Sequence, residues 1–217
     1  MTDTVERWEL PAFGLENLQR VTRPSPALGP YDVAVAVRGA SLNYRDLLML
    51  RGKYDPRVPL PLVPLSDGAG VVEAVGTAVT RWRVGDRVAA IFAQRWLSNP
   101  MTTEDIRSTL GGPLEGMATR RRVLHEDGLV RVPSHLTDIE AATLPCAALT
   151  AWSAMRVEGN VQAGDVVLIL GTGGVSTFAL QLCGIIGARA IVTSSSDDKL
   201  DRARALGSWA TVNYRDE

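Results

Sequence analysis

The sequence predicts two architectures in series: a β-rich, turn-rich part over residues 1–130 and a parallel α/β part over residues 131–217. Three observations predict this. Short β-branched runs punctuated by Gly and Pro fill the first part, as in a small barrel or sandwich. Apolar strands alternate with amphipathic helices in the second. A glycine-rich turn joins the first of those strands to its helix. At roughly 150 residues per domain, 217 residues are generous for one domain and tight for two.

In the first part, Asp32-Val-Ala-Val-Ala-Val-Arg38 suits a half-buried strand entered by the turn Leu28-Gly29-Pro30. Gly68–Gly76 and Val84–Phe92 are two further strand-like runs, the second fed by the turn dipeptide Gly85-Asp86. Pro56, Pro59, Pro61 and Pro64 keep one connection extended. Gln94–Gly116 reads as a polar surface excursion, or a flap over a cleft, with a helix-capable piece at Thr103–Leu110. Arg120-Arg121-Arg122 reads as a solvated strand edge.

From residue 137 the period changes. Thr137-Asp-Ile-Glu140 has the form of a capping box. Ala141–Val157 is rich in helix formers but contains Pro145, which predicts a kink or a two-piece helix. Asp165–Leu170 reads as a strand buried on both faces. Gly173–Ile186 has helical apolar spacing and ends at Gly187. Ala190–Thr193 is a second strand, Asp197–Leu206 a second helix stopped by Gly207, and Trp209–Asn213 opens a third strand.

Composition narrows the function. Residues are 46% hydrophobic and 22% charged, and 23 Lys+Arg against 24 Asp+Glu leave a net charge of −1. No global field recruits nucleic acid or an anionic membrane, so neither is expected as a partner. Two cysteines, Cys146 and Cys183, cannot build a disulfide framework or a four-Cys zinc lobe, and a reducing, cytoplasmic location is expected. The opening MTDTVERWEL lacks the basic and apolar regions of a secretory signal.

The chemistry centres on Gly171-Thr-Gly173-Gly174-Val175-Ser176, directly after a strand and opening a helix. Gly171 permits a tight turn, Gly173 lets a pyrophosphate approach the backbone, and the N–H groups through Gly174 and Val175 bind the anion. Ser176 stands where Gly or Ala is usual. An NAD site would place an acid about 20 residues past this turn to take the ribose 2′-hydroxyl. Here the stretch is Thr193-Ser194-Ser195-Ser196, and hydroxyls with Lys199 suit a 2′-phosphate instead, which favours NADP over NAD. Asp197 and Asp198 suit the first turn of the next helix. Ser196 and Lys199 also read as a plain N-cap and a surface lysine.

Several stretches together resemble the medium-chain dehydrogenase/reductase superfamily of zinc alcohol dehydrogenases and zinc-free quinone oxidoreductases. They are Asn43-Tyr-Arg-Asp46, Gly68-Ala-Gly70 with Gly76, Val84-Gly-Asp-Arg-Val88, Ala141–Cys146 with Thr150-Ala-Trp152, and Gly164-Asp165 with Gly171–Gly174. The resemblance implies a GroES-like β-barrel catalytic domain followed by a Rossmann NAD(P)-binding domain, present only as its N-terminal half, with an active site in the cleft between them. On that reading the family's C-terminal portion is missing and the third parallel strand has barely begun at residue 217.

The resemblance also carries roles. It places Asn43 and Tyr54 in the substrate pocket, Tyr54 as a donor to a carbonyl oxygen, and Thr150 against the nicotinamide. Turn, packing and cap roles are their alternatives. The zinc-holding Cys, His and Cys correspond to Asn43, Ser66 and Cys146, with Asp67 after Ser66, which is no tetrahedral zinc set. His125 and His135 fall off the ligand positions and read as loop or surface residues. The expectation is therefore a metal-free, NADP(H)-dependent oxidoreductase of quinones, enones or reactive carbonyls. Alcohol/aldehyde interconversion is the alternative, and an inactive or regulatory nucleotide-binding fragment is the alternative of another class. The turn after Leu168 is closer to the alcohol-dehydrogenase type. Homo-oligomerisation stays open.

Overall fold

The computed structural model describes residues 4–98 and 100–216. Met1–Asp3, Asn99 and Glu217 lie outside the described residues, and with them the start of the leader reading, one residue of the Gln94–Gly116 excursion and the chain's last position. Packing divides the chain into two compact units, Met1–Cys146 and Ala147–Glu217.

In the first unit, β1 (Thr4–Glu9) and β2 (Gln19–Pro24) form an antiparallel hairpin. Buried Glu9 joins them by accepting from Arg7 Nε at 2.8 Å and Arg23 Nη2 at 2.7 Å. The predicted runs become β3 (Asp32–Ser41), β4 (Asp67–Val75) and β5 (Arg87–Ala90). The helix α1 (Tyr44–Leu50) follows β3, and the short α2 (Thr103–Ile106) covers only the front of the predicted 103–110 piece. With β6 (Arg121–His125) and β7 (Leu129–Arg131), the sheet runs antiparallel in the order β6-β3-β4-β5-β7. Its side chains Val33, Val35, Val72 and Val88 form one core with Trp82 and Leu110 from the connecting segments. Burial of such side chains contributes about 1.5–3 kcal/mol each relative to exposure.

Two expectations need correction here. The back half of the polar excursion is not a surface loop: Ser108, Thr109, Leu110, Gly111 and Gly112 are buried. Leu110 enters the core, while the polar groups are satisfied locally; Thr109 Oγ1 donates to Gly112 O at 2.7 Å. The arginine run is an edge strand, but only Arg120 is well solvated. Arg121 pairs with Glu73, and Arg122 Nη1 donates to Glu115 at 2.8 Å with little of its side chain exposed.

The helix α3 (Asp138–Ala141) starts at the predicted capping box: Thr137 Oγ1 accepts from Glu140 N and the Glu140 carboxylate accepts from Thr137 N at 2.8 Å. β7 ends where the second part was expected to begin, yet the first compact unit continues to Cys146. Val132, Ala141 and Ala142 pack on Ala69 and Ala89, which holds that segment to the barrel. After Pro145 the chain stays helical, with π-type turns at Leu144–Ala148 and Ser153–Glu158 around the α-turn α4 (Leu149–Trp152). Wider turns absorb the N–H that proline lacks, so the predicted break is a change of pitch.

The second unit is a parallel sheet in the order β10-β9-β8, formed by β8 (Val166–Leu170), β9 (Arg189–Ser194) and β10 (Ala210–Asn213). It is crossed by α5 (Gly174–Ile186) and α6 (Asp197–Ala205). Gly187 takes a left-handed φ of 83° and ends α5. Ile169, Ala190 and Val192 pack with Ala179, Leu180, Cys183 and Leu200. The expectation that β8 is buried on both faces is wrong: Leu168 is 59% and Leu170 75% exposed. Alternate side chains of a strand point to opposite faces, and only the face carrying Ile169 is packed within this unit.

Candidate functional site

The glycine turn stands at the carboxyl end of β8. Gly171 adopts φ +80°, which an L side chain rarely tolerates. Gly173 is the N-cap of α5 in extended conformation and offers no side-chain cap. The first-turn N–H groups of Gly174, Val175 and Ser176 therefore lack intrahelical acceptors. They sit at the positive end of a 13-residue helix, a suitable cradle for phosphate. Ser176 Oγ donates to Leu170 O at 3.0 Å, and Thr193 Oγ1 accepts from Gly171 N at 3.2 Å, tying the turn to both strands.

The residues expected at the ribose end are distributed unequally. Ser194 is buried and its hydroxyl accepts from Ser196 N at 3.3 Å, whereas Ser195 is half-buried. Lys199 is exposed and lines a cavity of about 280 Å³ with Gly171, Thr172, Ser176 and Thr177. Arg202, which the sequence reading did not single out, lines the same cavity one helical turn on. Its i, i+3 spacing from Lys199 was the available signal. Two neighbouring acids are engaged elsewhere, Asp197 accepting from Asn213 at 3.0 Å and Asp201 pairing with Arg204, while Asp198 is exposed in the first turn of α6. Thr150 is exposed on α4 in the same unit.

In the first unit, Asn43 precedes α1 and its N–H donates to the Asp46 carboxylate at 2.8 Å. Asp67 is 0% exposed, accepting from Ser66 Oγ at 2.7 Å and from Cys146 N at 3.0 Å. Asn43 lies close enough to Asp67 to favour its ionised form, yet its buried Nδ2 lacks a partner of normal hydrogen-bond geometry. Cys146, expected to be buried, is half-buried. His135 is exposed, and His125 Nδ1 accepts from Asp127 N at 3.2 Å, both as surface groups. Among the described residues, no three His, Cys, Asp or Glu side chains cluster as metal ligands.

Burial raises the pKa of both Asp46 and Asp67 above the ordinary carboxylate value of 3.8, against the hydrogen bonds and Arg45, which lower it. The native state thus holds their protons more tightly than the unfolded chain. The stability tied to the neutral carboxyls is complete below pH 3.8 and is lost as pH rises through the higher folded values. Asp67→Asn is expected to flatten that loss. Urea midpoints measured from about pH 4 to pH 8 check it, and an unchanged slope contradicts it.

Tyr54 lies at a bend after α1 and is 53% exposed; the proline-bearing connection that follows, expected to run extended, starts instead with a turn closed by Val58 N donating to Asp55 O at 3.4 Å. The Tyr54 ring meets the Arg45 guanidinium, whose Cζ is 4.9 Å from that ring's centroid and also 4.9 Å from that of Phe92. Arg45 was within the quoted Asn43–Asp46 motif, but no role was attached to it.

Comparison with known proteins decides the family. Residues 29–134 match the alcohol dehydrogenase GroES-like domain. A crystal structure of an alcohol dehydrogenase from Sinorhizobium meliloti 1021 superposes with a TM-score of 0.93 at 44% identity, covering 100% of this chain and 64% of that one. A zinc-type alcohol dehydrogenase-like protein of Schizosaccharomyces pombe is 46% identical over 190 residues, 87% of this chain and 55% of its own length. A quinone oxidoreductase of Pseudomonas aeruginosa is 36% identical over 190 residues, 87% of this chain and 52% of its own. The chain belongs to the medium-chain dehydrogenase/reductase superfamily. It spans little more than half the length of these curated relatives. Its first unit carries the superfamily's GroES-like domain, and its relatives of both branches are oxidoreductases. Among the described residues, no helix is long and apolar enough to cross a membrane.

Proposed function

We propose that the protein is an NADP(H)-dependent, zinc-independent oxidoreductase that reduces quinones, enones or reactive carbonyls. The observation that carries the cofactor reading is the uncapped start of α5 behind Gly171, with Lys199 and Arg202 on the adjoining cavity. The Gly174, Val175 and Ser176 amides would hold a pyrophosphate, and Lys199 and Arg202 would neutralise a 2′-phosphate, with Ser195 as a hydrogen-bond donor. Ser194 shapes the strand end through its bond to Ser196. Thr150 is assigned to the nicotinamide end.

Zinc independence is supported by the donor set at the superfamily's ligand positions. Asn43 offers a carboxamide, Ser66 a hydroxyl already donated to Asp67, and Cys146 one thiol, whereas zinc favours thiolate and imidazole. A reduced nicotinamide, when bound, would supply a hydride to the electrophilic carbon, with the balancing proton taken up from solvent. The protein's own contribution is to orient the acceptor and stabilise the oxygen that gains charge. Tyr54 donates to that oxygen, and Asn43, whose carboxamide also faces Asp67, is assigned a second polar contact. Quinones and enones delocalise the developing charge, which lowers the demand for a Lewis acid.

The test is turnover of NADPH with a panel of quinones, enones and aldehydes, with and without a chelator. Chelator-resistant reduction of quinones or enones is expected, with Tyr54→Phe lowering kcat about 10-fold or more. Activity lost on chelation and restored by zinc overturns the zinc-free reading. The relatives named alcohol dehydrogenase favour a second reading, alcohol/aldehyde interconversion, which the aldehyde arm of the panel separates. Tight NADPH binding without turnover favours a nucleotide-binding role instead.

A further inference from the structure

We propose that Arg45 is a positioning residue that stacks the Tyr54 ring and thereby fixes where its phenol donates, an inference that rests on the reading of Tyr54 as the carbonyl donor. Tyr54 sits in a segment without regular structure, half-exposed, and a phenol there can leave its donating position by rotating two side-chain torsions. The Arg45 guanidinium is what meets it. Its Cζ lies 4.9 Å from the centroid of the Tyr54 ring and 4.9 Å from that of the Phe92 ring.

Arg45 itself is held from within the barrel. Nη1 donates to Leu110 O at 3.1 Å, and Nη2 donates to Gly112 O at 2.6 Å and Thr109 Oγ1 at 3.4 Å. Leu110 is part of the core, so the guanidinium plane is tied to a rigid element. The two Nη groups engage the 109–112 turn while the guanidinium carbon stays within cation–π reach of both rings, a combination open to a planar guanidinium and closed to an ammonium. The chain thus transmits the rigidity of the core through Arg45 to an otherwise loosely held phenol.

A double-mutant cycle tests this with Arg45→Lys and Tyr54→Phe. Arg45→Lys keeps the charge and loses the plane. With the phenol present it is expected to lower kcat between about 2-fold and about 30-fold, leaving the KM for NADPH unchanged. Tyr54→Phe keeps the ring and removes the hydroxyl, and in that background Arg45→Lys is expected to have no further effect on kcat. Equal losses in both backgrounds overturn the proposal, because a merely structural role would persist without the hydroxyl. If Tyr54→Phe alone leaves kcat unchanged, it is the reading of Tyr54 that falls.

Fluorine NMR of 3-fluorotyrosine-labelled protein reads the contact without catalysis. Four tyrosine signals are expected, with that of Tyr54 identified by its loss in Tyr54→Phe. Arg45→Lys is expected to move or average the Tyr54 signal and leave the other three in place. Phe92→Leu keeps the Arg45 hydrogen bonds, and a smaller shift of the same signal is expected. A Tyr54 signal unmoved in both variants overturns the proposal.

Discussion

Gly173→Asp is expected to lower NADPH affinity about 100-fold or more while leaving the thermal midpoint unchanged or slightly raised. The two effects come from one geometry. Gly173 is the N-cap of α5, its backbone is extended, and a Cβ placed there meets nothing within 4 Å. An aspartate fits, and its carboxylate accepts from the orphan N–H groups two or three residues on, worth a few tenths of a kcal/mol over glycine. Those same N–H groups are the ones assigned to the pyrophosphate, and a negative charge now stands where a dianion must approach. Losing two charge-assisted hydrogen bonds and adding repulsion amounts to about 3 kcal/mol, which is a factor of roughly 100. Isothermal titration and a melting curve on the same preparation check both halves. Unchanged affinity with a raised midpoint would show that the helix start caps itself and holds no phosphate.

Gly70→Ala is expected to cost about 3 kcal/mol or more of stability, shifting the first unit's thermal midpoint down by about 6–12 °C or abolishing soluble expression. Gly70 lies on β4 opposite Val37, beside the irregular register between Val37 and Gly39. A Cβ at Gly70 would stand 2.9 Å from the Ala36 carbonyl carbon and closer still to its oxygen. The atoms it would meet are all backbone of β3, at Ala36 and Val37, so no side chain can swing aside and β3 and β4 would have to separate. Gly85→Ala is the contrast: its added Cβ meets nothing within 4 Å, and only the φ of +95° resists it, at about 1 kcal/mol. Differential scanning calorimetry of the two variants checks the ranking. Equal midpoints would mean that the strands do not approach as closely as described.

The legible parts of this molecule were those where local sequence and tertiary environment agree. β3, β4 and β5 carry β-branched residues in a pattern that only a packed strand explains, and the turns at Gly85 and Gly187 use glycine where φ is positive. The glycine turn, α5, β9 and α6 followed from period and punctuation. What escaped was set by distant partners. β1 and β2 are rich in charges that only become sensible once Arg7 and Arg23 meet buried Glu9 from opposite strands. The 108–112 turn reads as polar surface, yet Arg45, far away in sequence, satisfies its carbonyls and lets Leu110 enter the core.

The site divides in the same way. Glycines and the Ser/Lys stretch announced a nucleotide because phosphate binding uses backbone and local spacing. Arg202 was visible in principle through its helical spacing from Lys199. The bonds of Asp67 to Ser66 and to the Cys146 amide were not, since they join the start of β4 to the helix that begins at Leu144. The exposed face of β8 was misread because its residues are uniformly apolar, and apolar sequence alone does not say what covers it.

The most direct measurement is a pair of calorimetric titrations of this chain, one with NADPH and one with NADH, at the same ionic strength. Tighter binding of NADPH by about 10-fold or more is predicted, with the difference lost in a Lys199→Ala, Arg202→Ala double variant. Equal or tighter binding of NADH, or a preference for NADPH that survives the double variant, would contradict the assignment of the 2′-phosphate to Lys199 and Arg202. Absence of heat with either nucleotide would contradict the cofactor reading of the glycine turn itself.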